Sequence, residues 1–336
     1  MKQSRLSEAL DQAGLLPEKG EILLLRPTAE SDLTAFPKAR SLILTGFRPD
    51  HDLFHRAGWR LSDGQSEMDV GSYGMACLFL PRAKAMGRAL IARAAAAATL
   101  GAPIWIDGQK NGGIDSMLKD IKSRATLLFT LTASHGRSFA FANPGSAAFD
   151  DWVATETEPV PGFVTRPGVF SADAIDTGSA LLATHLPAKL KGKGADLGAG
   201  WGWLASQILT RPEVKELHLV EAEAEALACA RRNICDPRAL FHWADARDFS
   251  AGKALDFVVM NPPFHQGRAA DPGLGAAFVQ SAQRILQPQG QLWMVANRTL
   301  PYEEALSEAF HQVTPVSYAQ GFKVFLATRP KNPRKH

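Results

Sequence analysis

Cysteine is scarce in this chain. Only Cys77, Cys229 and Cys235 occur among 336 residues, scattered and with no C-x-x-C pair. That excludes a disulfide framework and a cysteine-built zinc site, so no metal is expected and a reducing cytoplasm is the expected compartment. Long apolar runs are also missing. No stretch reaches 18 apolar residues, which rules out a membrane-spanning helix of ordinary length. The opening MKQSRLSEALDQAG has no apolar core of the kind a secretory signal needs, and it reads as an amphipathic helix. Excess charge of one sign is small: 37 basic against 34 acidic residues, a formal +3. This balance permits an anionic partner without demanding one. What is present is ordinary for a folded soluble protein, with 46% hydrophobic and 21% charged residues. The length suits two domains or one large one.

Strand-like and helix-like segments alternate along both halves, which predicts α/β layers built on mostly parallel sheets. In the first half, strands are expected at 21–25, 41–45, 75–80, 103–106, 125–131 and 138–141. A long alanine-rich helix is expected at 82–100, where the strong helix propensity of alanine suffices as a reason. In the second half, strands are expected at 194–197, 216–221, 240–243, 255–260, 290–296 and 322–328. Helices are expected at 202–210, 222–233, 275–286 and 302–310. Between the halves, 143–163 is rich in Pro, Gly and acidic residues, as a linker would be. The predicted division is therefore a first domain at 1–145, a linker at 146–165 and a second domain at 166–336.

The two halves read as diverged copies. LFLPRA, starting at Leu78, matches VVMNPPF, starting at Val258. PIWIDGQKNGGIDSML matches QLWMVANRTLPYEEAL, and HGRSFAFANP matches QGFKVFLATRP. Three matches in the same order favour an internal duplication.

The densest local signal is GADLGAGWG at 194–202. A strand ends at Leu197, glycines alternate at Gly198, Gly200 and Gly202, and a helical pattern follows. Glycine lets the backbone turn sharply and approach a ligand without a Cβ clash. The carboxyl end of a strand in an open α/β sheet is where ligands bind. A dinucleotide fingerprint would be G-x-G-x-x-G, whereas here the pattern is D-x-G-x-G-x-G with Trp203 next. That favours the nucleoside loop of an S-adenosylmethionine (SAM) enzyme, with a simple tight turn as the alternative. Glu221 ends the next strand at the spacing where a carboxylate accepts both hydroxyls of a ribose. Asp245 ends the third strand, where it either accepts an adenine amino group or caps a helix.

After the fourth strand comes Asn261-Pro262-Pro263-Phe264. Two prolines cannot continue a central strand, and they hold a stiff extended turn. The plain reading is a strand-terminating turn with a buried Phe. The chemical reading is a clamp for a planar NH2 group. The Asn261 side-chain oxygen and the Pro262 carbonyl would accept its two N–H bonds and free the nitrogen lone pair. Phe264 would stack on the ring, worth about 1–3 kcal/mol per base. Fixing donor and acceptor in line can remove about 7–11 kcal/mol of a barrier. The sulfonium of SAM already activates its methyl group, so no metal or strong protein nucleophile is needed.

These residues resemble class I SAM-dependent methyltransferases carrying an N-P-P-[FY] motif. The segments PGVFSADAIDTGSALL, DLGAGWG, MNPPFHQG, VANRTLPY and GFKVF further resemble the bacterial ribosomal RNA guanine-N2 methyltransferases of the 16S and 23S types. The resemblance is specific over 167–328 and looser before it. It implies two tandem Rossmann-like methyltransferase domains with the N-terminal one degenerate. In agreement, the first half has LLLRPTAESD where a glycine loop would stand and LPRA in place of N-P-P-F. That half is expected to dock RNA or support the catalytic domain. Carried over by motif, Asp196, Gly198, Ala199, Gly200, Gly202, Glu221 and Asp245 would hold SAM, with Asn261 beside it. Phe170 and Ser171 would cover the cofactor, and Gly178 and Ser179 would border the site. Asn261, Pro262 and Phe264 would do the chemistry. Pro263, His265, Arg268, Asn297 and Lys323 are the candidates on the substrate side.

The expected activity is SAM-dependent methylation of a guanine N2 in ribosomal RNA, most naturally 16S. The alternatives are a 23S RNA, a protein glutamine amide, or nonenzymatic RNA binding. An NAD dehydrogenase is disfavoured by Trp203 and by the lack of a hydride-transfer site. The expected partner is ribosomal RNA or a ribosomal subunit. Candidate phosphate contacts are Lys189, Lys191, Lys193, Arg329, Lys331, Arg334 and Lys335.

Overall fold

The computed structural model describes residues 4–66, 68–263, 265–266, 269–270 and 272–331. The chain divides into two compact units, 1–156 and 157–336.

The first unit runs α1 (Arg5–Ala13), β1 (Glu21–Leu25), β2 (Ser41–Leu44), α2 (Arg48–Arg56), β3 (Arg60–Ser62), β4 (Tyr73–Phe79), α3 (Lys84–Ala97), β5 (Pro103–Gln109), α4 (Ile114–Lys122), β6 (Leu127–Ala133) and β7 (Gly136–Ala142). Its seven strands lie in the order β3-β2-β1-β4-β5-β7-β6. The first five are parallel, and β7 and β6 run antiparallel to their neighbours. The strands are apolar on both faces because helices cover both. Ile22, Leu24, Met75 and Cys77 pack with Leu6, Leu10 and Phe54 from α1 and α2. Leu23, Leu25, Ala76 and Leu78 pack with Ile91 of α3 and with Met117 and Ile121 of α4. Each such buried aliphatic contributes about 1.5–3 kcal/mol relative to exposure.

The second unit runs β8 (Thr157–Val160), β9 (Phe163–Thr165), α5 (Thr177–His185), β10 (Gly192–Leu197), α6 (Trp203–Leu209), β11 (Val214–Glu221), α7 (Ala224–Asn233), β12 (Ala239–Trp243), β13 (Leu255–Met260), β14 (His265–Gln266), β15 (Ala269–Ala270), α8 (Pro272–Ile285), β16 (Leu286–Asn297), α9 (Tyr302–Ala309), β17 (Phe310–Ala319) and β18 (Phe322–Pro330). Its main sheet is ordered β12-β11-β10-β13-β16-β18-β17, the same pattern as in the first unit. Ala195, Leu197, Val258 and Met260 face α8 and α9, while Leu217, Leu219, Phe257 and Val259 face α5 and α6.

The expected linker is divided between the two units. Ser146–Trp152 forms a 3-10 turn whose Phe149 and Trp152 sit in the first core. Residues 157–165 form the β8–β9 hairpin of the second unit. A Pro- and Gly-rich composition marks turns equally well when a few aromatic residues pin them down. Sequence patterning did not reveal α2, β3, α4, α5, the β8–β9 hairpin or β17.

No helix among the described residues is long and apolar enough to cross a membrane.

Candidate active site at the switch point of the second sheet

β10 lies between β11 and β13, so the strand order reverses at its carboxyl end. That topological switch is where open α/β sheets form a ligand crevice. A cleft sits there, lined by Phe170, Ser171, Asp176, Ser179, the 198–201 loop, Trp203, Leu204 and Asn261. It encloses about 50 Å³, a shallow cleft below the roughly 300–1,000 Å³ of typical small-molecule sites.

The loop after β10 is shaped by its glycines and by one carboxylate. Gly198, Gly200 and Gly202 take φ values of 79°, 55° and 89°, a region that costs residues with a Cβ about 1–2 kcal/mol. Gly198 and Ala199 both donate their N–H to the Val220 carbonyl (2.9 and 3.1 Å). Gly200 N–H donates to Glu221 Oε2 (2.8 Å), and Glu223 N–H donates to Glu221 Oε1 (2.8 Å). Glu221 thus fixes the loop from below. An ionised carboxylate offers about four lone-pair positions; the backbone N–H groups of Glu223, Gly200 and Ala222 draw on them, which leaves acceptor capacity for a ligand hydroxyl. A Cβ at Gly200 would meet open space, which leaves the backbone accessible. At Gly202 a Cβ would lie 3.1 Å from Ile234 and 3.3 Å from the Ala230 Cβ, so this glycine closes the loop onto α7.

Asp196 is the electrostatic oddity of the site. It is buried, and neither carboxyl oxygen has a hydrogen-bond partner. Burial, and then the nearby Glu221 charge, push its carboxyl up to about 8. Burial also raises Glu221, against the backbone N–H groups that favour its ionised form. Burial, and the cost of a second negative charge beside Glu221, hold Asp196 largely protonated at neutral pH; that charge cost weighs against a pyrophosphate and not against a sulfonium-bearing nucleoside.

Asn261 follows β13 and reaches the same cleft. Its Nδ2 donates to Asp176 Oδ2 (2.7 Å) and to Ser179 Oγ (2.9 Å). Both amide protons are thereby used, and Oδ1 is left as an acceptor. Pro262 is buried and Pro263 exposed, so the turn is anchored on one side and open on the other.

Of the residues read from sequence, Phe170, Ser171, Ser179, Gly198, Ala199, Gly200 and Asn261 line the cleft. Asp196, Gly202 and Glu221 do not line it: Asp196 is buried in β10, Glu221 holds Gly200 and Gly202 packs against α7. Phe170 is 59% exposed at the rim, beside Ser171 in the left-handed region (φ 52°). Trp201 is buried, edge-on to Phe163 at 5.6 Å. Asp245 is clasped by Arg247, whose Nε and Nη2 donate to its oxygens at 2.6–3.0 Å, and it accepts the Arg247 backbone N–H at 2.9 Å. An adenine amino group would compete for those lone pairs. Asn297 Oδ1 accepts from the backbone and hydroxyl of Thr299, holding a turn.

Lys323 corrects its expected role. It is 6% exposed, and its Nζ donates to the Leu300 carbonyl (3.0 Å) and to Glu303 (2.6 Å). It ties down the 297–303 loop and is withdrawn from a substrate. Among the expected phosphate contacts, Lys193 pairs with Glu216 and Lys331 donates to the Ser307 carbonyl. Phe264, Arg268, Arg334 and Lys335 lie outside the described residues, as does the side chain of His265.

Asp176 was missed from sequence. Its signal is a helix N-cap: the side chain accepts the Ser179 N–H at 2.7 Å, three residues on in D-T-G-S. No cluster of three or more His, Cys, Asp or Glu among the described residues is placed to hold a metal.

The family model for the methyltransferase small domain matches residues 161–326. The ribosomal RNA small subunit methyltransferase C of Pseudomonas paraeruginosa is 30% identical over 282 residues, covering 80% of this chain and 84% of the relative. That of Alteromonas mediterranea is 31% identical over 258 residues, covering 74% and 71%. The chain belongs to the ribosomal RNA small subunit methyltransferase C family. The member from Idiomarina loihiensis is 29% identical over 321 residues, covering 92% of this chain and 94% of the relative. Among solved structures, the T. thermophilus 16S rRNA N2 G1207 methyltransferase, in complex with AdoMet and guanosine, superposes with a TM-score of 0.80 at 24% identity. It covers 97% of this chain and 92% of its own, so the family's two-domain α/β fold extends over nearly all of this chain.

Proposed function

We propose that this chain transfers a methyl group from SAM to the exocyclic N2 of a guanine in 16S ribosomal RNA. The observation that carries the proposal is the convergence of Asn261 Oδ1 and the Glu221-braced glycine loop on one cleft. Family membership supports the reaction and the RNA class.

In this reading Glu221 accepts the ribose hydroxyls, and Gly198, Ala199 and Gly200 give the nucleoside a backbone surface. Asp196, largely protonated, spares the site a second negative charge beside Glu221. Phe170 and Ser171 cover the outer side, and Asp245 competes with Arg247 for the adenine amino group. SAM, when bound, supplies the activated methyl group. The protein then has to present the amine. Asn261 Oδ1 and the Pro262 carbonyl accept its two N–H bonds, so the nitrogen lone pair is released from ring conjugation and aimed. Phe264 stacks on the base, with Pro263, His265 and Arg268 on the RNA side. The partner is the ribosomal RNA or the small subunit, met in the cytoplasm. The first unit serves as the RNA-docking or supporting body. Binding through phosphates should weaken steeply with salt.

Labelled SAM incubated with fractionated ribosomal RNAs and subunits, followed by nucleoside mapping, tests the reading. The expected product is N2-methylguanosine in 16S RNA. Asn261→Ala should abolish transfer while SAM affinity stays within about threefold of wild type. Label on 23S RNA or on a protein amide would replace the proposed substrate. Unchanged turnover in Asn261→Ala would remove the clamp.

A further inference from the structure

We propose that Asp176 and Ser179, at the start of α5, are positioning residues that set the orientation of the Asn261 amide. The proposal rests on the methyl-transfer reading of this cleft and adds two residues from outside the glycine-loop and N-P-P-F motifs.

An amide is nearly symmetric in shape but opposite in hydrogen-bonding character at its two ends. A guanine amino group needs an acceptor. If the Asn261 amide turned over, its NH2 would face the substrate NH2, donor against donor. Only a local partner set chooses between the two orientations. In this structure that set is complete: Asp176 Oδ2 and Ser179 Oγ each take one Nδ2 proton, at 2.7 and 2.9 Å. A carboxylate cannot donate, so Asp176 accepts only Nδ2 and rejects the reverse orientation.

The partners are themselves fixed. Asp176 Oδ2 also accepts the Ser179 backbone N–H at 2.7 Å, which caps α5. Gly178 lets this turn sit close to the sheet. A Cβ there would lie 2.9 Å from the Phe322 ring and 3.1 Å from Asp176 Oδ2. Asp176, Ser179 and Asn261 all border the one cleft. Because the acceptor is a carboxylate, its hydrogen bond to Nδ2 is stronger than a neutral one. It polarises the amide and leaves Oδ1 a better acceptor as positive charge develops on the substrate nitrogen.

The two contributions separate by mutation. Ser179→Ala removes one acceptor and leaves the helix cap intact, since the cap uses the Ser179 backbone. Asp176→Asn keeps a capping oxygen but removes the charge. The proposal expects kcat on 16S substrate to fall by about tenfold or more in each, toward the roughly 100-fold that a small misplacement of a reacting group can cost. SAM affinity and Tm should stay near wild type, and Ser179→Thr should restore turnover. The second readout needs no activity. In 15N–1H spectra the Asn261 side-chain amide protons of the full chain should both carry hydrogen-bonded shifts, and one should move to a solvent-like shift in Ser179→Ala. Wild-type turnover in both variants, or an amide pair that Ser179→Ala leaves unmoved, would overturn the positioning role. A wild-type chain that methylates no RNA would instead overturn the functional reading, while the amide shifts would still decide the orientation of Asn261.

Discussion

At the scale of single residues, the site is built from groups that gain nothing from their own burial. Asp196 has a carboxyl pushed up to about 8 by burial and by Glu221. Its ordinary value is 3.8, so between about pH 4 and 8 the folded chain holds a proton that the unfolded chain has released. Stability therefore falls as pH rises through that window. Glu221, also raised by burial, acts with the same sign. Asp196→Asn mimics the protonated form at every pH. Its Tm should fall less than that of wild type between pH 5 and 9, as thermal unfolding would record; parallel curves would contradict the assignment. Gly200 gives a complementary test. Its φ of 55° is costly for alanine, yet a Cβ there meets open space. Gly200→Ala should cost about 1–2 kcal/mol of stability, measured by denaturant unfolding, and should weaken SAM binding through the methyl group placed in the cleft. Asn261 and the glycines were legible because their motifs are contiguous and their chemistry is local. The partners of Lys323 and Asp245 were hidden for the opposite reason. What occupies a side chain is decided by a distant partner, Glu303 in one case, or by a near one with no motif, Arg247 in the other.

At the scale of elements, legibility followed how much of the burial pattern lies within the segment itself. β10, β11 and β13 are apolar runs closed by turn residues, and each was found within two residues of its ends. α2 buries only Phe54, so it carries no helical stripe to read. β17 is an edge strand with mostly exposed positions and an internal Pro315. It exists because β18 pairs with it, a contact made across the chain. The centre of β10 shows how tightly the legible core is packed. A Cβ on Gly194 would fall 2.1–2.5 Å from the Phe257 ring. Gly194→Ala should therefore destabilise by about 1–3 kcal/mol through overpacking, with no contribution from positive φ. An unchanged denaturation midpoint would show that Phe257 rotates away at no cost.

At the scale of the whole chain, the duplication seen in sequence becomes a statement about which unit holds a nucleoside. The two main sheets share one strand order. When the ends of their central strands are matched through the strand registers, Leu25 stands for Leu197, Leu44 for Val220 and Leu78 for Met260. The functional positions then translate directly. Leu24 occupies the place of Asp196, Thr45 that of Glu221 and Phe79 that of Asn261, one residue before the Leu80 of the LPRA match. Arg26 and Pro27 follow β1 where the second unit has Gly198 and Ala199. The first unit thus keeps the layers and loses the buried carboxyl, the hydroxyl acceptor, the amine clamp and the flexible loop. Titration calorimetry of the full chain should find one SAM per chain. Glu221→Gln keeps the size of the side chain but removes its charge and one of the two loop-brace hydrogen bonds, since its NH2 end cannot accept a backbone N–H. Charge-assisted hydrogen bonds are worth about 1.5–3 kcal/mol, so affinity should drop by about 10–150-fold, and no second site should emerge beneath the weakened one. A stoichiometry of two, or binding untouched by Glu221→Gln, would mean that the first unit retains a pocket which these replacements say it has lost.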